Sequence, residues 1–249
     1  MFKQYASLIH QLTYQHLGND LSDLQVLQLC DFGDLLLDWN QRLNLTRITD
    51  PHEVIIKHFI DSMVLSSSIE GLTFADLGTG AGFPGVPLKI LRPDLDIVLM
   101  DSLKKKLDFL DAVIETLSLK GVRTVHARIE DFGRNIQYRG KFDTVSSRAV
   151  ARLPVLLEYA LPVLRMNGIL LAPKGSQFET ELTESKQALI ILGGTLDGIE
   201  HFNLGEGADH RTLIRIRKTK ETPPQYPRQA GTPNKVPIGE LVLGVRHKS

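Results

Sequence analysis

Hydrophobic positions follow two rhythms along the chain. Up to about residue 68 the spacing is helical. One helix is expected over residues 2–17. A second opens at Ser22, which with Gln25 makes a Ser-x-x-Gln capping box, and its stripe of Leu24, Leu27, Leu35, Leu36, Trp39 and Leu43 runs to about Asn44. A third begins with Asp50 as N-cap, Pro51 at the first helical position and Glu53 three residues on. Val54, Ile55, Phe59 and Met63 form its apolar face, and His58 and Asp61, one turn apart, read as a pair on the helix surface, with a pair facing the substrate as the alternative.

Beyond residue 69 short apolar runs alternate with longer helical ones. Strands are expected at 73–77, 96–100, 122–127, 142–147 and 169–172. Helices are expected up to residue 91 and at 104–117, 154–164 and 179–192. Residues 195–202 and 211–217 read as an antiparallel hairpin around Gly205-Glu206-Gly207. Strands alternating with helices of this length predict an α/β fold, a mostly parallel sheet covered on both faces. After Lys218 the character changes again. Five of the twelve prolines fall between 223 and 237, which predicts an extended segment poor in regular hydrogen bonds.

Composition narrows the class. With 249 residues, 42% hydrophobic and 23% charged, the chain is ordinary for a soluble globular protein. No apolar run approaches a membrane span and the N-terminus does not read as a signal peptide, so no membrane association is expected. Cys30 is the single cysteine, which excludes internal disulfides and multi-thiolate zinc and suits the cytoplasm. The eight histidines show no metal-ligand spacing, so no metal is expected. Net charge is zero but uneven: residues 211–249 carry nine Lys/Arg against two acids, a net +7, leaving −7 for the first 210. A basic end on an acidic body fits a polyanionic partner and equally a solubilising tail. Lys104-Lys105-Lys106 opens a helix against its dipole, which hints at an anionic partner, although a solvated face explains a charge run too.

The candidate chemistry lies at Asp76-Leu77-Gly78-Thr79-Gly80-Ala81-Gly82-Phe83-Pro84-Gly85. Glycines at a strand-to-helix turn allow positive φ and close approach of a ligand, and the following helix offers free N–H groups. In an open parallel sheet this is where a nucleotide-like cofactor sits. Gly80-x-Gly82-x-x-Gly85 with Asp101 about twenty residues on satisfies the dinucleotide pattern. The match begins three residues after the strand end and contains Pro84. S-adenosylmethionine (SAM) needs no pyrophosphate cradle, and Asp101 at the end of the second strand would accept its ribose hydroxyls as well. The helical N-terminal region and the terminal hairpin favour SAM over NAD. A tight turn that binds nothing is the bland alternative.

Further segments bear on this choice together: Trp39-Asn40-Gln41-Arg42-Leu43-Asn44-Leu45-Thr46, Lys57-His58-Phe59-Ile60-Asp61-Ser62, the glycine loop, Arg148-Ala149-Val150-Ala151, Lys174-Gly175, and Tyr226-Pro227-Arg228-Gln229-Ala230-Gly231-Thr232-Pro233. With these, the chain resembles the bacterial small-subunit ribosomal RNA methyltransferase G family, also called glucose-inhibited division protein B, from about Leu24 to Pro237. The resemblance implies a class I SAM-dependent methyltransferase fold, Rossmann-like, with a mostly parallel sheet, a C-terminal antiparallel hairpin and a helical N-terminal extension. The regions would be 1–68 for the extension, 69–220 for the SAM-binding core and 221–249 for the basic proline-rich end. It implies methylation of N7 of one guanine in 16S rRNA near the decoding site, with the small ribosomal subunit as partner and a monomeric, cytoplasmic enzyme.

The resemblance also carries site positions. Gly78 and Phe83 match loop positions that contact SAM. Asp101, Ser102 and Leu103 match the segment around the ribose, Ile129 and Glu130 the segment beside adenine, and Arg148 a cofactor-contacting arginine. The family usually has Ser where Thr79 stands and Glu where Asp101 stands. No catalytic residue is assigned, since guanine N7 has a free lone pair and needs no base; Arg148 is the first to test, with a structural salt bridge as its alternative. Lys174 and Arg228, with the basic end from Arg211, are candidates for contact with RNA phosphates, and a solvated surface lysine is an equal alternative for Lys174. Remaining alternatives are a SAM enzyme for another substrate, an NAD-dependent oxidoreductase, for which no hydride-transfer site can be assembled, and a non-catalytic binding module.

Overall fold

The strands alternate between two buried faces, and that alternation organises the molecule. In β1 (Thr73–Leu77), Phe74 packs into one hydrophobic cluster while Ala75 and Leu77 pack into another. In β2 (Asp96–Asp101), Ile97 and Leu99 join the first cluster while Val98 and Met100 join the second. With side chains apolar on both sides, these strands need cover above and below. The computed structural model describes residues 1–205 and 211–239. It contains β3 (Val122–His126), β4 (Phe142–Ser146), β5 (Leu164–Lys174), β6 (Gly194–Phe202) and β7 (Arg211–Lys218) in one seven-stranded sheet of order β3-β2-β1-β4-β5-β7-β6. The first five strands are parallel, and β7 runs antiparallel to both β5 and β6. The predicted turn of this hairpin falls largely on residues 206–210, outside the described residues.

The N-terminal helices cover one face. A 3₁₀ turn (Phe2–Tyr5) leads into α1 (Ala6–Leu17), followed by α2 (Asp23–Leu43). Ser22 caps α2 with both halves of the predicted capping box formed. α3 (Pro51–Val54) is capped by Asp50 and runs through a π-helical turn (Ile55–Ile60) into α4 (Asp61–Met63) and a second 3₁₀ turn (Val64–Ser68). Phe2, Phe32 and Phe59 of this region are fully buried in the same cluster as Phe74 and Leu99. The extension is thus one wall of the core. α5 (Gly85–Leu91) and α6 (Lys104–Thr116) complete that face. α7 (Ile129–Arg134), α8 (Leu153–Ala160), α9 (Phe178–Glu184) and α10 (Lys186–Leu192) lie along the other cluster. α7 was not anticipated, and the long helix expected at 179–192 is two.

The strand order reverses between β1 and β4, and crevices that hold ligands in open parallel sheets lie at such a switch point. β1 and β4 end there, at Leu77 and Ser146.

The proline-rich end is poor in regular structure, as expected, and it is packed against the body. Thr222 is buried with its hydroxyl donating to Leu192 O at 2.8 Å, and α11 (Thr232–Lys235) adds a turn of helix. The charge of β7 is also spent inside the fold. Arg217 pairs with Glu70 at 2.7 Å and Asp197 at 2.7 Å, and Arg215 pairs with Glu200 at 2.8 Å and Asp197 at 2.9 Å. Lys218 is buried and donates to Leu164 O at 2.7 Å. The arginines of β7 are therefore matched by Glu70 and by Asp197 and Glu200 of the adjoining strand. Arg246 and Lys248 lie outside the described residues.

Candidate active site

The glycine loop starts where β1 stops. Gly78 has φ 69° and a Cβ there would collide with Val150; Gly82 has φ 91° and a Cβ there would collide with Val86 and Leu110. Both positions demand glycine on two grounds, backbone conformation and space. Thr79 N–H donates to Met100 O at 2.9 Å, stitching the loop to β2. Beneath the loop lies Asp76, fully buried. One carboxylate oxygen accepts from the Thr79 hydroxyl at 2.7 Å and from Gly85 N–H at 2.9 Å; the other, Oδ1, has no hydrogen-bond partner. Burial pushes its pKa up to about 6, against the opposing pull of those donors and of Arg148.

Asp101 joins the loop to the end of β2. It accepts from Gly80 N–H at 3.0 Å and from Leu103 N–H at 2.9 Å, and Lys106 Nζ stands 3.7 Å away. Both oxygens keep a lone pair for a further donor. Past β3, Glu130 is buried, accepting from Gly231 N–H at 2.8 Å and from the Tyr159 hydroxyl at 3.4 Å. Burial and then the Glu130 carboxylate raise the Tyr159 pKa, so the phenol keeps its proton.

Two residues past β4, Arg148 turns back toward the N-terminal region. Its guanidinium donates to Asp61 Oδ2 at 2.8 Å and Lys57 O at 3.2 Å, lies 3.0 Å from His58 Nδ1, and sits with its central carbon 5.2 Å from the Phe83 ring centroid. The His58 ring stacks on Phe83 at 4.4 Å, and its Nε2 is 2.8 Å from the Thr46 hydroxyl. Burial first, then the Arg148 charge, lowers the His58 pKa to about 3, so the imidazole is neutral at neutral pH. Its Nδ1 lies between the Arg148 guanidinium at 3.0 Å and Lys57 O at 3.1 Å.

A cavity of about 900 Å³ opens along these segments. Gly78, Phe83, Asp101, Ser102, Leu103, Ile129, Glu130 and Arg148 all line it, so every expected cofactor position converges on one space. A second cavity of about 600 Å³ shares His58, Arg148, Ala149 and Val150 with the first, and Asp61, Lys174 and Arg211 face it. Among the described residues no group of three or more His, Cys, Asp or Glu side chains is arranged to hold a metal, and no helix is long and apolar enough to cross a membrane.

The sequence matches the family model described as rRNA small subunit methyltransferase G over residues 25–212. The "Ribosomal RNA small subunit methyltransferase G" of Desulfitobacterium hafniense is 53% identical over 238 residues, 96% of this chain and 100% of the relative. That of Lactobacillus johnsonii is 46% identical, covering 89% of this chain and 95% of the relative. The chain belongs to the rRNA small subunit methyltransferase G family. Among solved structures, a mutant of the 16S rRNA (adenine(1408)-N(1))-methyltransferase from Catenulisporales acidiphilia has a TM-score of 0.50 at 14% identity, covering 66% of this chain and 92% of that one. M. jannaschii TYW2 in complex with AdoMet has a TM-score of 0.50 at 14% identity, covering 63% and 73%. These likenesses concern the fold alone, and it is the Rossmann-like fold expected.

Three sequence expectations for this rRNA methyltransferase G family member need correction. Arg228, expected on RNA, is clamped to the fully buried Glu158, its Nη2 at 2.6 Å from one carboxylate oxygen and its backbone N–H at 2.7 Å from the other. An uncompensated buried carboxylate is costly, which is why the arginine turns inward. His58 and Asp61 are not a surface pair: both are buried, and both hold Arg148. Lys174 is not a free surface lysine, since its ammonium donates to Ala151 O at 2.8 Å and pairs with Glu181 at 2.8 Å. Asp76, Thr46, Tyr159, Gly231 and Asn234 were not singled out. Only Asp76 left a readable signal, a carboxylate inside a buried strand just before a glycine loop.

Proposed function

We propose that this protein, as a SAM-dependent methyltransferase of its family, binds SAM in the larger cavity and methylates N7 of a single guanine of 16S rRNA presented through the second. The observation that carries this reading is the convergence of eight expected cofactor positions, drawn from separate stretches of the chain, on one cavity at the switch point of the sheet.

The residues present fit that cofactor. The loop backbone is kept bare by glycines, Asp101 has acceptor capacity left for ribose hydroxyls, and Glu130 with Ile129 flanks the place for adenine. Two buried carboxylates, Asp101 and Glu130, line the cavity, a set of acceptors suited to a cationic ligand. When bound, SAM supplies a sulfonium methyl that a lone-pair nucleophile takes directly. The protein's work is then positioning, which in favourable cases is worth roughly 7–11 kcal/mol. Arg148 lines both cavities and is held from three sides by Asp61, Lys57 O and His58, so it can orient an acceptor base without moving. No group need remove a proton, because N7 carries none.

Lys174 lines the second cavity with two of its three N–H donors engaged, which leaves one for an RNA phosphate. A ribosomal RNA substrate fits an enzyme that works in the cytoplasm, and we take it to act there as a monomer.

The test uses isotopically labelled SAM and small ribosomal subunits lacking the modification, with nucleosides identified by mass spectrometry after digestion. Labelled 7-methylguanosine at one site is the expected outcome. Absence of label on subunits that a known family enzyme does methylate would overturn the reading.

A further inference from the structure

The C-terminal segment is anchored far more heavily than a tail requires. Arg139 donates to the backbone carbonyls of Thr222 at 2.9 Å, Pro223 at 3.2 Å and Tyr226 at 2.6 Å. Arg134 Nε donates to Pro227 O at 2.8 Å, and a Cβ on Gly133 would strike the Pro227 ring. Arg228 joins Glu158 and also donates to Val236 O at 2.8 Å. Three arginines thus satisfy a stretch whose prolines leave it without a ladder of its own.

What the anchors hold in place is the turn Gly231–Asn234. Gly231 N–H fixes the Glu130 carboxylate at 2.8 Å, Pro233 is buried, and Asn234 is exposed and lines the larger cavity together with Ile129, Glu130 and Gly231. An asparagine carries a donor and an acceptor on one planar group, the pair that matches the amino group and neighbouring ring nitrogen of adenine.

We propose that the strap formed by residues 222–239 is the outer wall of the adenine end of the cavity, and that Asn234 reads the 6-amino edge of the adenine ring. This rests on the cofactor reading above. It gives the C-terminal end a role in cofactor discrimination, in place of the RNA contact its charge suggested.

The experiment is calorimetric binding of S-adenosylhomocysteine and of its analogue lacking the 6-amino group to the full-length chain, to Asn234→Ala and to Lys235→Ala. Lys235 neighbours Asn234 but does not line the cavity, so Lys235→Ala should match the unsubstituted protein for both ligands. The unsubstituted protein should lose about tenfold in affinity when the amino group is removed, as for one good hydrogen bond. Asn234→Ala should bind S-adenosylhomocysteine about three- to tenfold more weakly and lose threefold or less on amino removal, the non-additivity that marks a direct contact. An undiminished loss in Asn234→Ala would overturn the proposal while leaving the cofactor reading intact. No binding of S-adenosylhomocysteine by the unsubstituted protein would overturn both.

Discussion

Arg148 and Arg228 are near twins by local description. Their side chains are 19% and 20% exposed, and each faces a buried carboxylate, Asp61 at 6% and Glu158 at 0%. Yet Arg148 lines both cavities and lies over the Phe83 ring, whereas Arg228 lines neither and ties the C-terminal strap to α8. Their partners differ as well. Asp61 also faces Arg211 at 3.2 Å, while Glu158 depends on Arg228 alone among the ion pairs of the described residues. A buried arginine–carboxylate pair is therefore no mark of a site by itself. What separates function from scaffolding is the space the guanidinium borders and whether its carboxylate has a second cation.

That difference has consequences in opposite observables. Arg228→Ala leaves Glu158 charged and unpaired in the interior, and should cost about 3–5 kcal/mol of stability in urea denaturation. A loss below about 1 kcal/mol would mean that Glu158 has another route to compensation and would erase the contrast. Arg148→Ala leaves Asp61 with Arg211, so its stability loss should stay near 1–2 kcal/mol. Methyl transfer under single turnover should instead fall roughly 10²–10³-fold, the scale for losing one preorganised polar group at a reacting centre. If Arg148→Ala unfolds the protein as readily as Arg228→Ala, the arginine is scaffolding too. Asp101→Ala probes the far side of the same cavity. It should weaken SAM binding by about 1–3 kcal/mol in calorimetry, through the lost ribose partner and the freed Gly80 and Leu103 amides. Unchanged affinity would remove Asp101 from the cofactor site.

How much of this was legible follows from the kind of signal each region emits. β1, its glycine loop and β2 were readable because buried parallel strands and glycine turns are local patterns: β1 lies at 73–77 as expected, and Asp101 ends β2. The pairing of Arg148 with Asp61 was not readable, because the two are 87 residues apart and the π turn at Ile55–Ile60 departs from the 3.6-residue rhythm used to assign helix faces. With α1 packed on one side and Arg148 on the other, that helix has no free face where His58 and Asp61 sit. The basic C-terminal end misled for a related reason. A charge sum registers Arg215, Arg217 and Arg228 but not Glu70, Asp197, Glu200 and Glu158, which the topology brings against them. The expected hairpin already sets Asp197 and Glu200 against Arg215 and Arg217, but pairing with Glu70 and Glu158 is a property of the fold that no local pattern announces.

His58 gives the contrast between the two arginines its finest test. The neighbouring Arg148 helps hold His58 at about 3, below its ordinary 6.5, so the unfolded chain takes up the proton first and stability falls as pH drops from 6.5 toward 3. Asp76 works the other way. Its pKa of about 6 lies above the ordinary 3.8, so the folded chain takes up the proton first and gains stability as pH falls through 6 toward 3.8. Between pH 7 and pH 5 the first effect removes about 2 kcal/mol and the second restores about 1 kcal/mol. The protein should therefore show only a shallow loss from these two groups, measured as urea midpoints at the two pH values. Asp76→Asn cancels the restoring effect and should steepen the loss by about 1 kcal/mol. Arg148→Ala removes the cation that depresses His58, so its loss on acidification should be flatter than that of the unsubstituted protein. Arg228→Ala, remote from His58, should keep the original slope however much stability it has lost. Equal slopes in the two arginine variants would show that burial alone sets the His58 proton affinity, and the guanidinium at 3.0 Å would lose its electrostatic claim on the ring.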